Sequence, residues 1–442
     1  MAFLKKNKLI LFEILLFICI FLVAFFVSCV CMPLCCDEVW TYGFSYNISK
    51  GMVIYRDFNV LQMPLYFLIG SAFITIFGDY VISLGVFNAI LIALIGIMMY
   101  KIIGWKFLGC LPIITVFLPS GYNLFCLFWI ILILYLINKK NDNDFLIGII
   151  VGLCFITKQN VGVCLFLPYL IYSKNKIKSL FSFLLPCLFL IVYLVYYECL
   201  FEFIDYCFLG LFDFNNKNGW FVDVFVVLEI FSIMYLIFEL FKSKFKNKEI
   251  FYILMFQIMS YPIVNAYHFF VSFVPVLFYI VKQIKNVQMV CINIFTVFIF
   301  NIFLILGLDI NVSKGDNMLF LRNSGDLLLF LEDAKVELER RNYSLNDDYY
   351  FFTEYFGYLF KLYYDIPINK FDFLMTGNLG YNGVNRKIEE LDLICNDKKC
   401  IFFVNDYIAA SDTSQWRELY KYVVDNYYYD DDSFYSFDVY TN

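Results

Sequence analysis

Hydrophobic residues follow two rhythms along this chain. Through residue 308 they come in long runs separated by short polar breaks; after it they recur singly, at helical or strand spacing. The runs at 9–31, 62–78, 81–103, 107–137, 145–173, 179–200, 221–241, 250–281 and 287–308 have the apolar character of membrane helices. Three carry internal breaks. Pro112, Pro119 and Gly121 divide 107–137, Thr157-Lys158-Gln159-Asn160 interrupts 145–173, and Tyr261-Pro262 with His268 interrupts 250–281. The pattern predicts an α-helical polytopic membrane protein with about 11–13 transmembrane helices.

Beyond 308 the spacing changes. Leu327, Leu328, Leu331, Ala334 and Leu338 repeat at helical intervals behind Ser324, a capping residue type. Strands are expected at 349–352, 400–404 and 434–440, and helices near 383–394 and 414–428. Such alternation predicts a small C-terminal α/β domain over 309–442, following a membrane domain over 1–308 whose first outer loop is 32–61. Asp430-Asp431-Asp432 reads as a solvated turn.

Composition supports the division. Hydrophobic residues make up 62% of the 442, against roughly 45–50% in a soluble domain. Residues 1–308 hold 20 Lys+Arg against 15 Asp+Glu, whereas residues 309–442 hold 13 against 24. The acidic part argues against nucleic acid as a partner. Lys5, Lys6 and Lys8 place the N-terminus on the cytoplasmic side, ahead of a first helix read as retained rather than cleaved. Lysine clusters at 139–140, 174–178, 242–248 and 282–285 belong on that side too. Threading the chain between them puts the first loop, the breaks at 157–160 and 261–268, the loop 201–220 and the acidic domain together outside the cell membrane. The 15 cysteines lie mostly within apolar runs, without metal-ligand spacing. Cys395 and Cys400 could pair if their domain is outside; spacing alone leaves this open.

Candidate chemistry concentrates at the breaks. Asp37-Glu38 follows the first apolar run, and a carboxylate at a membrane surface can serve as general base toward a hydroxyl; any polar loop also carries acids. Lys158, beside Gln159, is a cation inside an apolar run, which is costly and marks function by default. It suits a lipid-linked phosphate; the plain alternative is a lysine snorkelling from a helix end. His268, the single histidine, cannot build a multi-histidine metal site but can donate to a phosphate oxygen; it can equally be a satisfied histidine in a helical hairpin. Arg56 either pairs with Asp57 or grips phosphate oxygens. Tyr42, Tyr55 and Asp57 are candidates to line the acceptor side. No glycine-rich nucleotide loop is present.

The segment Asp37-Glu38-Val-Trp-Thr-Tyr42, with Gly51, Tyr55-Arg56-Asp57-Phe58 and Pro64-Leu65-Tyr66, resembles the first outer loop of the GT-C glycosyltransferases that use polyprenyl-phosphate sugars. These include protein O-mannosyltransferases and lipid A aminoarabinose transferases (glycosyltransferase family 39-like). The stretches Thr157-Lys158-Gln159 and Pro262-x-x-Asn265-x-x-His268 are similar to later segments of the bacterial members, with Asn265 where an acid is expected. Many relatives also carry a second acid in a later outer loop; here Asn123 stands nearest that place. The resemblance implies transfer of a sugar from a polyprenyl-phosphate donor to a glycan, lipid or protein acceptor outside the membrane, normally with inversion. It makes Asp37 the base, assisted by Glu38, and gives Lys158, Gln159, Arg56 and His268 the donor phosphate. Membrane lipids are the remaining partners. No cofactor is firmly implied; a divalent cation on Asp37 and Glu38 is conceivable but not favoured. A transporter or flippase is the alternative from another class, because intramembrane Lys and His beside broken helices also mark substrate paths.

Overall fold

A computed structural model describes residues 2–27, 36–111, 113–114, 121–139, 143–215, 224–261, 264, 266–284, 313–314, 319–320, 325–345, 348–352, 356–366, 368, 380–381, 383–404 and 415–442. The expected span 287–308 and Ser324 lie outside these residues.

The first part is helical: α1 (Ala2–Phe26), α2 (Cys36–Ser49), α3 (Leu65–Phe77), α4 (Val81–Ile103), α5 (Tyr122–Asn138), α6 (Asp144–Phe155), α7 (Gln159–Tyr172), α8 (Lys176–Tyr196), α9 (Leu200–Ile204), α10 (Gly210–Asn215), α11 (Val224–Lys242), α12 (Lys248–Phe256) and α13 (Ala266–Gln283). Among the described residues, Lys8–Phe26, Val81–Gly109, Lys176–Tyr196 and Val224–Lys242 are long and apolar enough to cross a membrane. Shorter apolar helices, α3, α5, α6, α7 and most of α13, pack among them. The outer helices carry lipid-facing side chains: Phe189 on α8 is 70% exposed and Phe238 on α11 64%. The inner ones bury nearly every face, as α5 does from Leu124 to Leu134. This is a membrane protein in which apolar residues point outward as well as inward.

Breaks fall where the polar residues predict them. α6 ends at Phe155 and α7 starts at Gln159; Gly162 lets the two pack backbone to backbone, since a Cβ there would overlap Phe155. α12 gives way to a 3-10 turn, Gln257–Ser260, before α13. One difference from expectation concerns the first loop: its residues 36–49 form α2, and Val39, Tyr42, Phe44 and Tyr46 are buried. The segment mixes aromatic with polar positions, so no apolar periodicity announces the helix.

The C-terminal part holds a two-strand ribbon, β1 (Ser313–Lys314) with β2 (Leu319–Phe320), and a four-stranded sheet. Its strands β3 (Tyr349–Phe352), β4 (Cys400–Val404), β5 (Tyr428–Phe434) and β6 (Phe437–Thr441) lie in the order β3-β4-β6-β5. β3 and β4 are parallel, pairing Tyr349 with Cys400; β6 runs antiparallel to both β4 and β5. Helices α14 (Gly325–Arg340), α15 (Phe356–Tyr363), α16 (Gly383–Asp397) and α17 (Gln415–Asn426) complete it. The strand expected at 434–440 is divided by a turn at Tyr435, φ +53°. The acidic run is not a turn: Asp430 sits in β5 and pairs with Arg341, and Asp432 pairs with Arg340 at 3.2 Å. Cys395 and Cys400 form a disulfide, Cα atoms 5.6 Å apart.

One apolar cluster joins the two parts, running from Phe44 and Tyr66 through Tyr358 and Phe360 to Leu331 and Phe403. Asn47 on α2 bonds both backbone groups of Ile368, donating to its carbonyl at 2.8 Å and accepting its N–H at 3.3 Å. A smaller cluster under the sheet includes Phe351, Leu391, Phe402 and Leu419.

Candidate functional site

Two hairpins set the site. α6 and α7, with 12 and 14 residues, span about 18 and 21 Å at ~1.5 Å per residue. Each is too short to cross a hydrocarbon layer of ~30 Å by itself. The second hairpin, α12 to α13, turns beside it. At the first junction the backbone leaves the helix: Lys158 is extended, φ −153° and ψ 112°. Thr157 is pinned there, its hydroxyl donating to the Leu153 carbonyl at 2.8 Å and accepting from Trp129 Nε1 at 3.1 Å. The Ile156 carbonyl accepts the Leu65 N–H at 3.1 Å, which ties the junction to the start of α3.

From this junction Lys158 extends its ammonium to Asn123 Oδ1 at 3.2 Å and to the Met259 carbonyl at 3.4 Å. It also lies 5.6 Å from the Tyr122 ring. Asn123, 1% exposed, stands in the first turn of α5 after Gly121, whose φ of +93° turns the chain into that helix. Gln159 donates to the Cys207 carbonyl at 2.9 Å, and Asn160 to the Tyr261 carbonyl at 3.3 Å. His268 lies in the first turn of α13, the helix that follows the Gln257–Ser260 turn next to which Lys158 bonds the Met259 carbonyl. Lys158, Gln159 and His268 therefore share one region.

Arg56 and Asp57 take the pairing alternative. Arg56 Nε and Nη2 donate to the Asp57 carboxylate at 2.8 and 3.0 Å, and the carboxylate also accepts the Val53 N–H at 2.7 Å. Next to them Tyr55 occupies φ +73°, strained for a non-glycine residue. Its ring is fully buried, edge-on to Phe203, and its hydroxyl donates to the Gln62 carbonyl at 2.8 Å. Cys207 Sγ reaches that same carbonyl at 3.5 Å. Gln159, Cys207, Gln62 and Tyr55 thus link this loop to the Lys158 junction. Tyr42 on α2 is 1% exposed. Burial, foremost, holds both phenols well above the ordinary tyrosine range, so neither is a base near neutral pH.

Asp37 and Glu38 occupy the first turn of α2; their side chains lie outside the described residues. Position 37 stands one turn before Thr41, and a Cβ on Gly121 would lie 3.6 Å from the Thr41 hydroxyl. The α2 face that carries position 37 therefore approaches the start of α5, where Asn123 holds Lys158. Asn265 lies outside the described residues, and no group of three or more His, Cys, Asp or Glu side chains gathers among the described ones.

Two residues escape the sequence reading. Asn123 appears there only as a place where an acid is missing, although it is the partner of Lys158. Glu229, in the second turn of the apolar α11, is 1% exposed, and its carboxylate oxygens lie 2.9 Å from the Ser260 hydroxyl and 3.0 Å from that of Ser272. Its signal was available: a buried acid within an apolar run is expensive and marks function by default.

No protein-family model matches the chain, and no curated protein matches it in sequence. Solved structures do. Over 97% of both chains, at 12% identity, it is similar to ArnT from Cupriavidus metallidurans bound to undecaprenyl phosphate, with a TM-score of 0.56. ArnT from the same organism in the apo state gives 0.53 over the same coverage and identity. ArnT is a GT-C glycosyltransferase. The chain has the GT-C fold: a helical membrane part followed by a small C-terminal part with a sheet.

Proposed function

We propose that the protein is a membrane glycosyltransferase that moves a sugar from a polyprenyl-phosphate donor to an acceptor outside the membrane, with inversion. The observation that carries this reading is Lys158: an ammonium at a break between two short apolar helices, in a fold shared with a protein that binds undecaprenyl phosphate. A cation there can face a phosphate whose lipid tail stays in the bilayer. The disulfide between Cys395 and Cys400 supports an extracytoplasmic C-terminal part, since disulfides persist in oxidising compartments. That side also suits the cytoplasmic N-terminus.

In the proposed step the acceptor hydroxyl oxygen attacks the anomeric carbon. The bond from that carbon to the phosphate oxygen breaks with its electron pair, and polyprenyl phosphate leaves. The hydroxyl proton passes to Asp37, with Glu38 assisting. In-line attack inverts the anomeric centre. Lys158 compensates the charge that grows on the phosphate, with His268 and Gln159 as neutral hydrogen-bond donors to it. Arg56, held by Asp57, borders the acceptor side with Tyr42 and Tyr55. The positive charge comes from the side chains, so transfer is expected to survive a chelator.

The test compares cells with and without the protein by mass analysis of lipid-linked sugars and surface glycans. A polyprenyl-phosphate sugar should accumulate without it while one outer glycan loses that sugar. Asp37→Asn should reproduce the loss with the protein still in the membrane. Unchanged profiles, or full transfer by Asp37→Asn, refute the reading.

A further inference from the structure

We infer that Glu229 is a positioning residue for Lys158, acting through the turn between α12 and α13; this rests on the phosphate role proposed for Lys158. The inference starts from how α11 sits. Its buried residues are Glu229, Ser232, Leu236 and Leu240, a stripe at helical spacing, while Phe231, Met234, Phe238 and Phe241 on the other faces are more than half exposed. A helix with that pattern needs only apolar residues on its inner stripe. A carboxylate there is costly in a bilayer, and packing alone gives no reason to keep it.

What Glu229 holds supplies the reason. One carboxylate oxygen lies 2.9 Å from the Ser260 hydroxyl and the other 3.0 Å from the Ser272 hydroxyl, each hydroxyl shared with a backbone carbonyl three residues before it, Gln257 at 2.8 Å and Phe269 at 2.9 Å. Ser260 ends the 3-10 turn Gln257–Ser260, and Ser272 lies on α13. Glu229 thus spans the α12–α13 turn from the lipid side. From the opposite side, the carbonyls of the adjacent Met259 and Tyr261 accept Lys158 Nζ at 3.4 Å and Asn160 Nδ2 at 3.3 Å. Inside the turn, Gln257 Nε2 donates to the Ser272 carbonyl at 3.0 Å. Three consecutive residues, 259 to 261, are therefore gripped by the α6–α7 junction on one side and by Glu229 on the other. Moving that backbone moves an acceptor of the Lys158 ammonium. A displacement of about 1 Å in a positioning contact can cost about 100-fold in rate.

A merely structural role and a positioning role part at the double-mutant cycle. The probe is a polyprenyl phosphate, with the corresponding polyprenyl alcohol as control, titrated onto full-length purified protein and scored per folded molecule. Glu229→Leu should weaken polyprenyl-phosphate binding roughly tenfold in the natural background and not at all in Lys158→Met; alcohol binding should stay unchanged in both. Glu229→Gln should restore most of the loss, because the amide can accept one serine hydroxyl and donate to the other. Should Glu229→Leu fail to fold, Ser260→Ala with Ser272→Ala removes the same two bonds and carries the same cycle. Equal losses in both backgrounds overturn the positioning role while leaving the phosphate role of Lys158 intact. A Lys158→Met protein that binds polyprenyl phosphate as the natural one does overturns the phosphate role, and the present inference with it.

Discussion

Lys158→Met tests the centre of the site most directly. Methionine keeps most of the side chain's length and packing beside Tyr122 and Met259, and removes the charge together with the hydrogen bonds to Asn123 and the Met259 carbonyl. Two unit charges about 4 Å apart interact by about 4 kcal/mol at an effective dielectric near 20. Removing one electrostatic partner of a developing anion typically costs ~10²–10³ in kcat. Transfer should therefore fall by about 10²–10³, some 3–4 kcal/mol at 1.36 kcal/mol per tenfold. Two acceptors of its ammonium, at Asn123 and Met259, are a neutral amide and a carbonyl. The assay is release of labelled sugar from polyprenyl-phosphate donor, run beside a thermal melt. Transfer within threefold of the natural protein, or an activity loss matched by a collapse of the melt, refutes the assignment.

Three further predictions concern the outer part. Gly380 has φ +80°, and a Cβ there would overlap the Asp205 carboxylate, which accepts the Tyr381 N–H at 2.9 Å and pairs with Arg386 at 3.2 Å. Gly380→Ala should cost about 1–3 kcal/mol and open cleavage sites around 380–386 in limited proteolysis. Reducing the Cys395–Cys400 disulfide, which closes a short loop between α16 and β4, should cost roughly 2 kcal/mol, read as a lower melting temperature under thiol. The third is a pH effect. Hydrogen bonds from Arg340 and then Arg341 hold the Glu337 carboxyl below its ordinary value. A depressed carboxyl stabilises the fold fully above its unfolded pKa and loses that stabilisation as pH falls through the folded value. Acid unfolding should therefore begin below about pH 4.3 and be shallower in Glu337→Gln; identical acid profiles contradict the pairing.

What could be read from the chain was whatever local chemistry decides. The break at 157–160 is visible because Lys158, Gln159 and Asn160 cannot all be satisfied inside an apolar helix. β3 and β4 emerge at the expected positions because both are short β-prone runs between turn signals. Helix α2 is not visible, because its buried face answers to Ile368, 321 residues away, and to Tyr358. The strand character of Asp430 and Asp432 depends likewise on Arg341 and Arg340, about 90 residues earlier. The Arg56–Asp57 choice required the loop geometry: only the backbone turn that brings the Val53 N–H to Asp57 shows the carboxylate committed locally. Lys158 announced itself, whereas Asn123, its partner, did not, since an asparagine opening a helix is an unremarkable residue in sequence.

The two halves of the candidate site are held by different parts of the protein. Lys158 depends on membrane helices: the α6–α7 junction, the start of α5, and the turn that Glu229 braces. Position 37 depends on α2, and α2 lies between α3 and the outer part. Gly43 shows how close that contact is, for a Cβ there would meet Tyr358 and Ile368. Asn47, one turn later, fixes the Ile368 backbone from both sides. The C-terminal part therefore does not stand off from the membrane domain; it clamps the helix that bears the candidate base. Under the proposed reaction, the hairpins would hold the donor phosphate and the C-terminal part would act through the placement of α2, by way of Tyr358 and Ile368.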